Sequence, residues 1–398
     1  MSTSEQMRQW TGPAVFTYGF RPFFLFGALW AATAMLLWIL MLSDIMQLPT
    51  RLDPVSWHAH EFLFGYLGAV VAGFLLTAVP NWTGRLPVVG WQLAGLFFLW
   101  VSGRVLLAVS ELLPLGLPEL VDLLFPCILG LVILREIIAG KNWRNLAVLA
   151  LLAAFTVANA LFHLEAARGD YAAQGFGLRA GVATVVMMIS LIGGRIVPSF
   201  TRNWLVKAGV ADLPVPPMQK FDKLVLVATL IALLCWVAWP VSFETGAALC
   251  IIGVMQFARL LRWKGYRTTR EPLLAVLHLA YLLVPLGAMA EGLALLRPET
   301  IAPVEAQHVW MAGAFALMTL AVMARATLGH TGQELTAGAG TNAMFACVIL
   351  ALVCRVGASF WPDAARGFYS VSAVFWIVGF AGFAALYGRA LLTRNQAK

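Results

Sequence analysis

The chain reads as an all-α polytopic membrane protein of about twelve transmembrane helices, on three observations. Hydrophobic residues fill 61% of its 398 positions and charged residues only 12%. Mean hydropathy is +0.83, so too little polar surface exists to coat a soluble globule of this size. Apolar runs of bilayer-spanning length recur from one end to the other, and the connections are too short for a soluble domain. Residues 1–398 are therefore read as a single transmembrane domain.

Taken in order, the apolar runs are bounded by Pro, Gly, Asn and charge clusters. They fall at 20–42, 58–79, 91–110, 119–139, 145–164, 178–198, 222–240, 245–262, 272–296, 306–324, 340–360 and 369–392. The first follows a polar segment, Met1–Tyr18, with no charged-then-apolar run ending at a small-residue cleavage site, so no cleaved signal peptide is expected. The second runs from His60 to Thr83-Gly84 and the tenth from His308 to Thr331-Gly332, with the same His-to-Thr spacing. The sixth closes in a related way, on Pro198-Ser-Phe-Thr201-Arg-Asn. These three ends admit a reading as three four-helix repeats, beside the plainer one that all membrane helices share length and composition.

Twelve spans put both termini on one side, and the positive-inside rule chooses it. With the N-terminus cytoplasmic, about 20 of the 27 Lys and Arg fall on that side. They include Lys207, Lys220 and Lys223 after the sixth span and Arg259, Arg262, Lys264, Arg267 and Arg270 after the eighth. Residues 1–19, 199–221 and 262–271 are thus expected to be cytoplasmic. The net charge of +8 then reflects topology, and no basic stripe with interleaved aromatics speaks for nucleic acid. The five cysteines lie in apolar runs without CxxC or CxxCH, and read as small buried hydrophobes. No Walker loop, dinucleotide fingerprint, HExxH or nucleophile elbow occurs.

Ionisable side chains inside hydrocarbon are costly, so the six histidines are the most informative residues. His58, His60, His163 and His308 are expected at the outer face, His278 and His330 in the cytoplasmic half. Imidazole is the commonest transition-metal ligand, which suggests an outer site and a second, inner one. The plainer reading of each is a helix-end residue bonded to a loop. In His58-Ala-His60-Glu61, only His58 and Glu61 share a helical face. Glu61 and Glu291 are candidate second-sphere acceptors or proton carriers. Arg21, Arg85, Arg195, Arg202 and Arg325 gather near cytoplasmic helix ends, where they serve either heme propionates or an anionic substrate, or anchor the chain by snorkelling. Arg104 lies mid-span and requires a buried partner, with Glu291 and Asp122 as candidates.

Five runs together resemble the NnrS family: Tyr18-Gly-Phe-Arg-Pro-Phe-Phe24, Trp57-His-Ala-His-Glu61, Ala72 through Arg85, Gly193-Gly-Arg-Ile-Val-Pro-Ser-Phe-Thr-Arg202, and Arg325-Ala-Thr-Leu-Gly-His-Thr-Gly332. The chain departs at Gln333, where the family pattern continues with arginine. The resemblance implies a bacterial inner-membrane protein carrying heme b and copper that protects against nitric oxide and nitrosative stress. The expected ligand is nitric oxide or an iron–nitrosyl species, with membrane lipid as the other partner. It carries the family's histidines onto His58, His60, His308 and His330, with His278 beside them. Whether the chain is an enzyme stays open. A heme-copper-oxidase-like nitric oxide reductase is one alternative, against which stand the absence of a His-His pair and the wide His308–His330 spacing. A secondary transporter using Arg104 and Glu291 is the other.

Overall fold

The computed structural model describes residues 10–84, 87–299 and 301–394. Among them it holds helices and no strands. Twelve helices are long and apolar enough to cross a membrane: α1 (Phe20–Leu42), α2 (Pro54–Thr83), α3 (Trp91–Ala108), α4 (Leu117–Ala139), α5 (Trp143–Ala167), α6 (Phe176–Lys207), α7 (Lys220–Ala238), α8 (Phe243–Leu261), α9 (Pro272–Leu296), α10 (Pro303–His330), α11 (Ala339–Phe360) and α12 (Pro362–Leu392). The starts follow local chemistry. Asp53 accepts hydrogen bonds from the Val55 and Ser56 amides ahead of Pro54, and Ser242 caps α8 through the Thr245 amide. Gln219 and Asp222 form a reciprocal capping box on α7. The sixth span runs to Lys207, nine residues beyond its expected end.

Helices α2, α6 and α10 are the most enclosed, with 83%, 78% and 67% of their apolar stretches buried. Each contains a π-helical turn, at Glu61–Tyr66, Ile189–Gly193 and Val309–Phe315. A π-turn shifts the backbone bond by one residue and opens a carbonyl to outside donors. Donors are present at two of the three. Trp100 Nε1 donates to Gly65 O at 2.9 Å, and Arg259 Nη1 to Ser190 O at 2.9 Å.

The chain divides into two compact units. The first comprises residues 1–181, 323–334 and 380–398, and the second residues 182–322 and 335–379. In the first, α1 packs on α2, α3 on α4, and α4 on both α2 and α5. Arg21 of α1 donates from Nη1 to the carbonyls of Ala390, Leu391 and Thr393 at 2.7–3.2 Å, closing the C-terminal end of α12. In the second, α8 and α9 pack most closely. A Cβ on Gly292 would stand 2.7 Å from both Gly246 O and Cys250 Sγ, and one on Gly246 3.1 Å from Gly292 O. Small residues allow that approach, as lipid-facing helices require.

Candidate metal centre

In the first unit, six polar side chains from α2, α3, α4 and α5 form one buried network. His60 and Glu61 are fully buried, and Arg104, Asp122, Asn159 and His163 are each at most 6% exposed. Local sequence sets each of them. His60 and Glu61 lie where α2 passes from α-helix into its π-turn. Pro126 lies four residues after Asp122 in α4. Its ring displaces the carbonyl of residue 122 from regular helical bonding and bends the helix there. Asn159 and His163 stand one turn apart on α5 and share a face. Gly65 keeps the space open, since a Cβ there would be 2.6 Å from Arg104 Nη1 and 2.8 Å from Glu61 Oε2.

The charges meet around Arg104. Its Nη1 donates to both Glu61 oxygens at 2.9 Å, and its Nη2 bonds Asp122 Oδ1. Trp30 Nε1 donates to Glu61 Oε2 at 2.8 Å. Asp122 Oδ2 accepts from Asn159 Nδ2 at 2.7 Å and from His163 Nε2 at 2.9 Å. His60 lies between: Nδ1 is 3.1 Å from Glu61 Oε1, and Nε2 is 3.0 Å from Asn159 Oδ1 and 3.3 Å from Asp122 Oδ2. The His60 and His163 rings are 4.7 Å apart.

Two features of this network ask for one more positive charge. Two carboxylates face a single guanidinium, which leaves a net negative charge in a low-dielectric interior. His60 faces acceptors at both ring nitrogens. With Nδ1–H donated to Glu61, the Nε2 lone pair points at two oxygens, an arrangement that a proton or a cation on Nε2 relieves. His60, Asp122 and His163 each offer a ligand atom, all within 4.8 Å of one another. This buried group can hold a metal ion, and it is the one such group of three among the described residues. Two imidazoles and a carboxylate suit iron, copper, nickel or zinc better than calcium or magnesium. Glu61 lies on His60 Nδ1, the position from which a carboxylate would orient that histidine toward an ion on Nε2. Heme does not fit at this centre, because both Nε2 atoms already lie about 3 Å from the same carboxylate oxygen, where a macrocycle requires an open face.

The other sites expected from the sequence are distributed differently. His58, in the same unit, stacks on Trp38 at 4.1 Å. Glu61 is held by its chain neighbour His60, its side chain being long enough to reach back across one residue. His330 packs on Phe20 at 5.4 Å. His308 and His278 belong to the second unit. There His308 Nδ1 donates to Val304 O at 2.6 Å, and His278 Nε2 meets Thr201 Oγ1 at 2.8 Å. Glu291 accepts from Trp236 Nε1 at 2.9 Å. Of the two partners expected for Arg104, Asp122 is present and Glu61 takes the place of Glu291.

Among the arginines, Arg21 is engaged by the α12 carbonyls, and Arg202 is exposed, with Nη1 3.4 Å from Pro214 O. Arg195 and Arg325 are half-buried, and Arg85 lies outside the described residues. Sequence reasoning missed Asn159. Its signal was present as a polar pair, Asn159 and His163, one helical turn apart in an otherwise apolar run.

The second unit contains a network of its own, without histidine. Arg259, fully buried, donates to Asp222 Oδ1, Ser190 O and Tyr281 Oη at 2.9 Å. Tyr281 donates to Gln256 at 2.7 Å, and Gln256 in turn donates to Ser190 and Thr229. One cation faces one carboxylate, so this network is balanced as it stands.

No individual curated protein matches the chain. The family model for the NnrS protein matches residues 14–394, a stretch that contains all twelve spans and both buried networks. The chain therefore belongs to the NnrS family.

Proposed function

We propose that this protein holds a transition-metal ion at His60, Asp122 and His163 and uses it to bind or process nitric oxide or an iron–nitrosyl species. The family is linked to the nitric oxide response. The observation that supports the reading is His60, buried with acceptors at both nitrogens beside a second imidazole and a shared carboxylate oxygen. Copper is the ion the family resemblance names, and the donor set accommodates it. A bound ion would supply a redox-active or Lewis-acidic point for a diatomic ligand. The chain's own residues do the rest. Glu61 orients the His60 ring, Arg104 bridges the two carboxylates with its guanidinium, and Asn159 fixes Asp122 Oδ2 toward both imidazoles.

Elemental analysis of detergent-purified protein, with oxidised and reduced absorption spectra, tests this directly. The expected result is one transition-metal ion per chain, lost in both His60→Ala and His163→Ala. Full metal content in either variant, with native folding, sinks the assignment. A Soret band surviving both replacements would place heme elsewhere in the chain and leave this centre to a bare ion.

Orientation belongs to the same proposal. The segments around Lys207, Lys220, Lys223, Arg262, Lys264, Arg267 and Arg270 are basic, which supports a cytoplasmic position for them and for both termini. An alkaline phosphatase fused after the last residue is expected to be inactive, and an active fusion would reverse the topology.

A further inference from the structure

Beside the candidate metal centre the first unit contains a small cavity lined by Phe64, Gly68, Val71, Phe125, Leu129 and Leu152, with Pro126, Phe155, Asp122 and Asn159 completing the wall. We infer that this cavity is the docking place of an uncharged diatomic molecule next to the ion; the inference rests on the metal-centre reading above.

Size, polarity and position support it together. The cavity has room for the centre of one water-sized molecule, about 10 Å³, which limits a guest to a very small molecule and excludes a hydrated ion or an organic substrate. A water held there would need two to four polar partners. Only Asp122 and Asn159 bring polar side chains, and both are engaged in the network: Asp122 Oδ2 by Asn159 and His163, Asn159 Oδ1 by His60. An apolar guest loses nothing there, since dry apolar voids take up small apolar molecules. Val71 is partly exposed while Leu129 and Leu152 are buried. Asp122 is at once part of the cavity wall and one of the three candidate ligands.

Gly68 provides the test. A Cβ there would meet only Phe125 Cε1 and Phe155 Cε1, both at 4.0 Å, so alanine fits without strain and places its methyl in the void. Dissolved molecular oxygen is the probe, an uncharged paramagnetic diatomic read out by methyl NMR on detergent-solubilised whole protein. In the wild type, Leu129 and Leu152 methyls are expected to relax well beyond equally buried Leu93 and Leu107. Gly68→Ala should remove that excess while leaving metal content unchanged. Leu152→Ala, which widens the void, should increase it at Leu129. Leu129 and Leu152 indistinguishable from Leu93 and Leu107, or an excess unaffected by Gly68→Ala, would overturn the inference. The oxygen effect is read without the metal, so a protein that binds the gas but no ion refutes the metal centre alone, and one that binds the ion but admits no gas refutes the cavity alone.

Discussion

A guanidinium within a bilayer must find its counter-charges in the protein itself. Arg104 has two, Glu61 and Asp122, and removing the arginine leaves two buried carboxylates facing each other. Arg104→Met is expected to cost about 3–5 kcal/mol, read as a lowered midpoint of thermal unfolding in detergent. Arg104→Lys should not rescue it, since a point charge cannot span both carboxylates as a planar fork does. At the neighbouring position, Glu61→Gln is expected to keep the fold and weaken metal affinity by roughly 10- to 100-fold, as measured by competition with a chelator.

Outside the spans, Asp212 sits between Lys264 and Arg267. The hydrogen bond from Lys264, with the charge of both cations, holds its carboxyl below the ordinary 3.8. A carboxyl depressed in this way stabilises the fold fully above its unfolded value, and that contribution is lost as pH falls through the lower, folded value. Carbon-13 titration of Asp212 should therefore show a midpoint below 3.8, raised by Lys264→Met.

The histidines were legible from the sequence because they are rare and expensive in hydrocarbon, yet which of them meet was not. Spacing put His58 and Glu61 on one helical face; tertiary packing stacks His58 on Trp38 and brings His60 Nδ1 to Glu61. Asp122 was visible as a partner for Arg104, but not as the oxygen shared by two imidazoles, which depends on α4 and α5 meeting at one depth.

Among the elements, proline recurs four residues after a position in or against a buried network: Pro126 after Asp122, Pro198 after Gly194, which lies against Arg259, and Pro285 after Tyr281. In each case the ring removes a helical bond and frees the backbone where a buried polar group is seated. A Cβ on Gly194 would stand 2.1 Å from Arg259 Nη2, so the same turn of α6 also has to be glycine. Pro126→Ala is expected to straighten α4 and draw Asp122 away from its partners. Metal content should fall even as the helix itself becomes more regular, and unchanged content would show that the bend is incidental. For the α8–α9 contact, Gly292→Ala inserts a methyl between two backbones and should cost about 1–3 kcal/mol, measurable as a lower unfolding midpoint.

Most spans were legible to within a few residues, since twenty apolar positions leave little choice. The tail of α6 was not. Thr201, Arg202, Asn203 and Lys207 read as a loop, whereas Leu205 and Thr201 are buried on one side of a continuing helix. A polar face in a short stretch hides helical periodicity from a hydropathy reading.

At the scale of the whole molecule, each compact unit contains a buried ionic network, and the two differ in charge balance. The first has an excess carboxylate and two histidines; the second pairs one arginine with one aspartate. Arg259→Met is accordingly expected to destabilise the protein while any surviving folded fraction retains its metal in full. Loss of the ion from protein that is still folded would instead mean that the metal centre depends on Arg259.

Arg21 introduces time. It enters with the first span, and the carbonyls that receive it belong to residues up to 372 positions later. At about 5–20 residues per second, a ribosome needs on the order of 20–75 s to deliver them. Throughout that interval the nascent chain carries a cation whose final acceptors have not been made. The end of translation is therefore the earliest moment at which this unit can close.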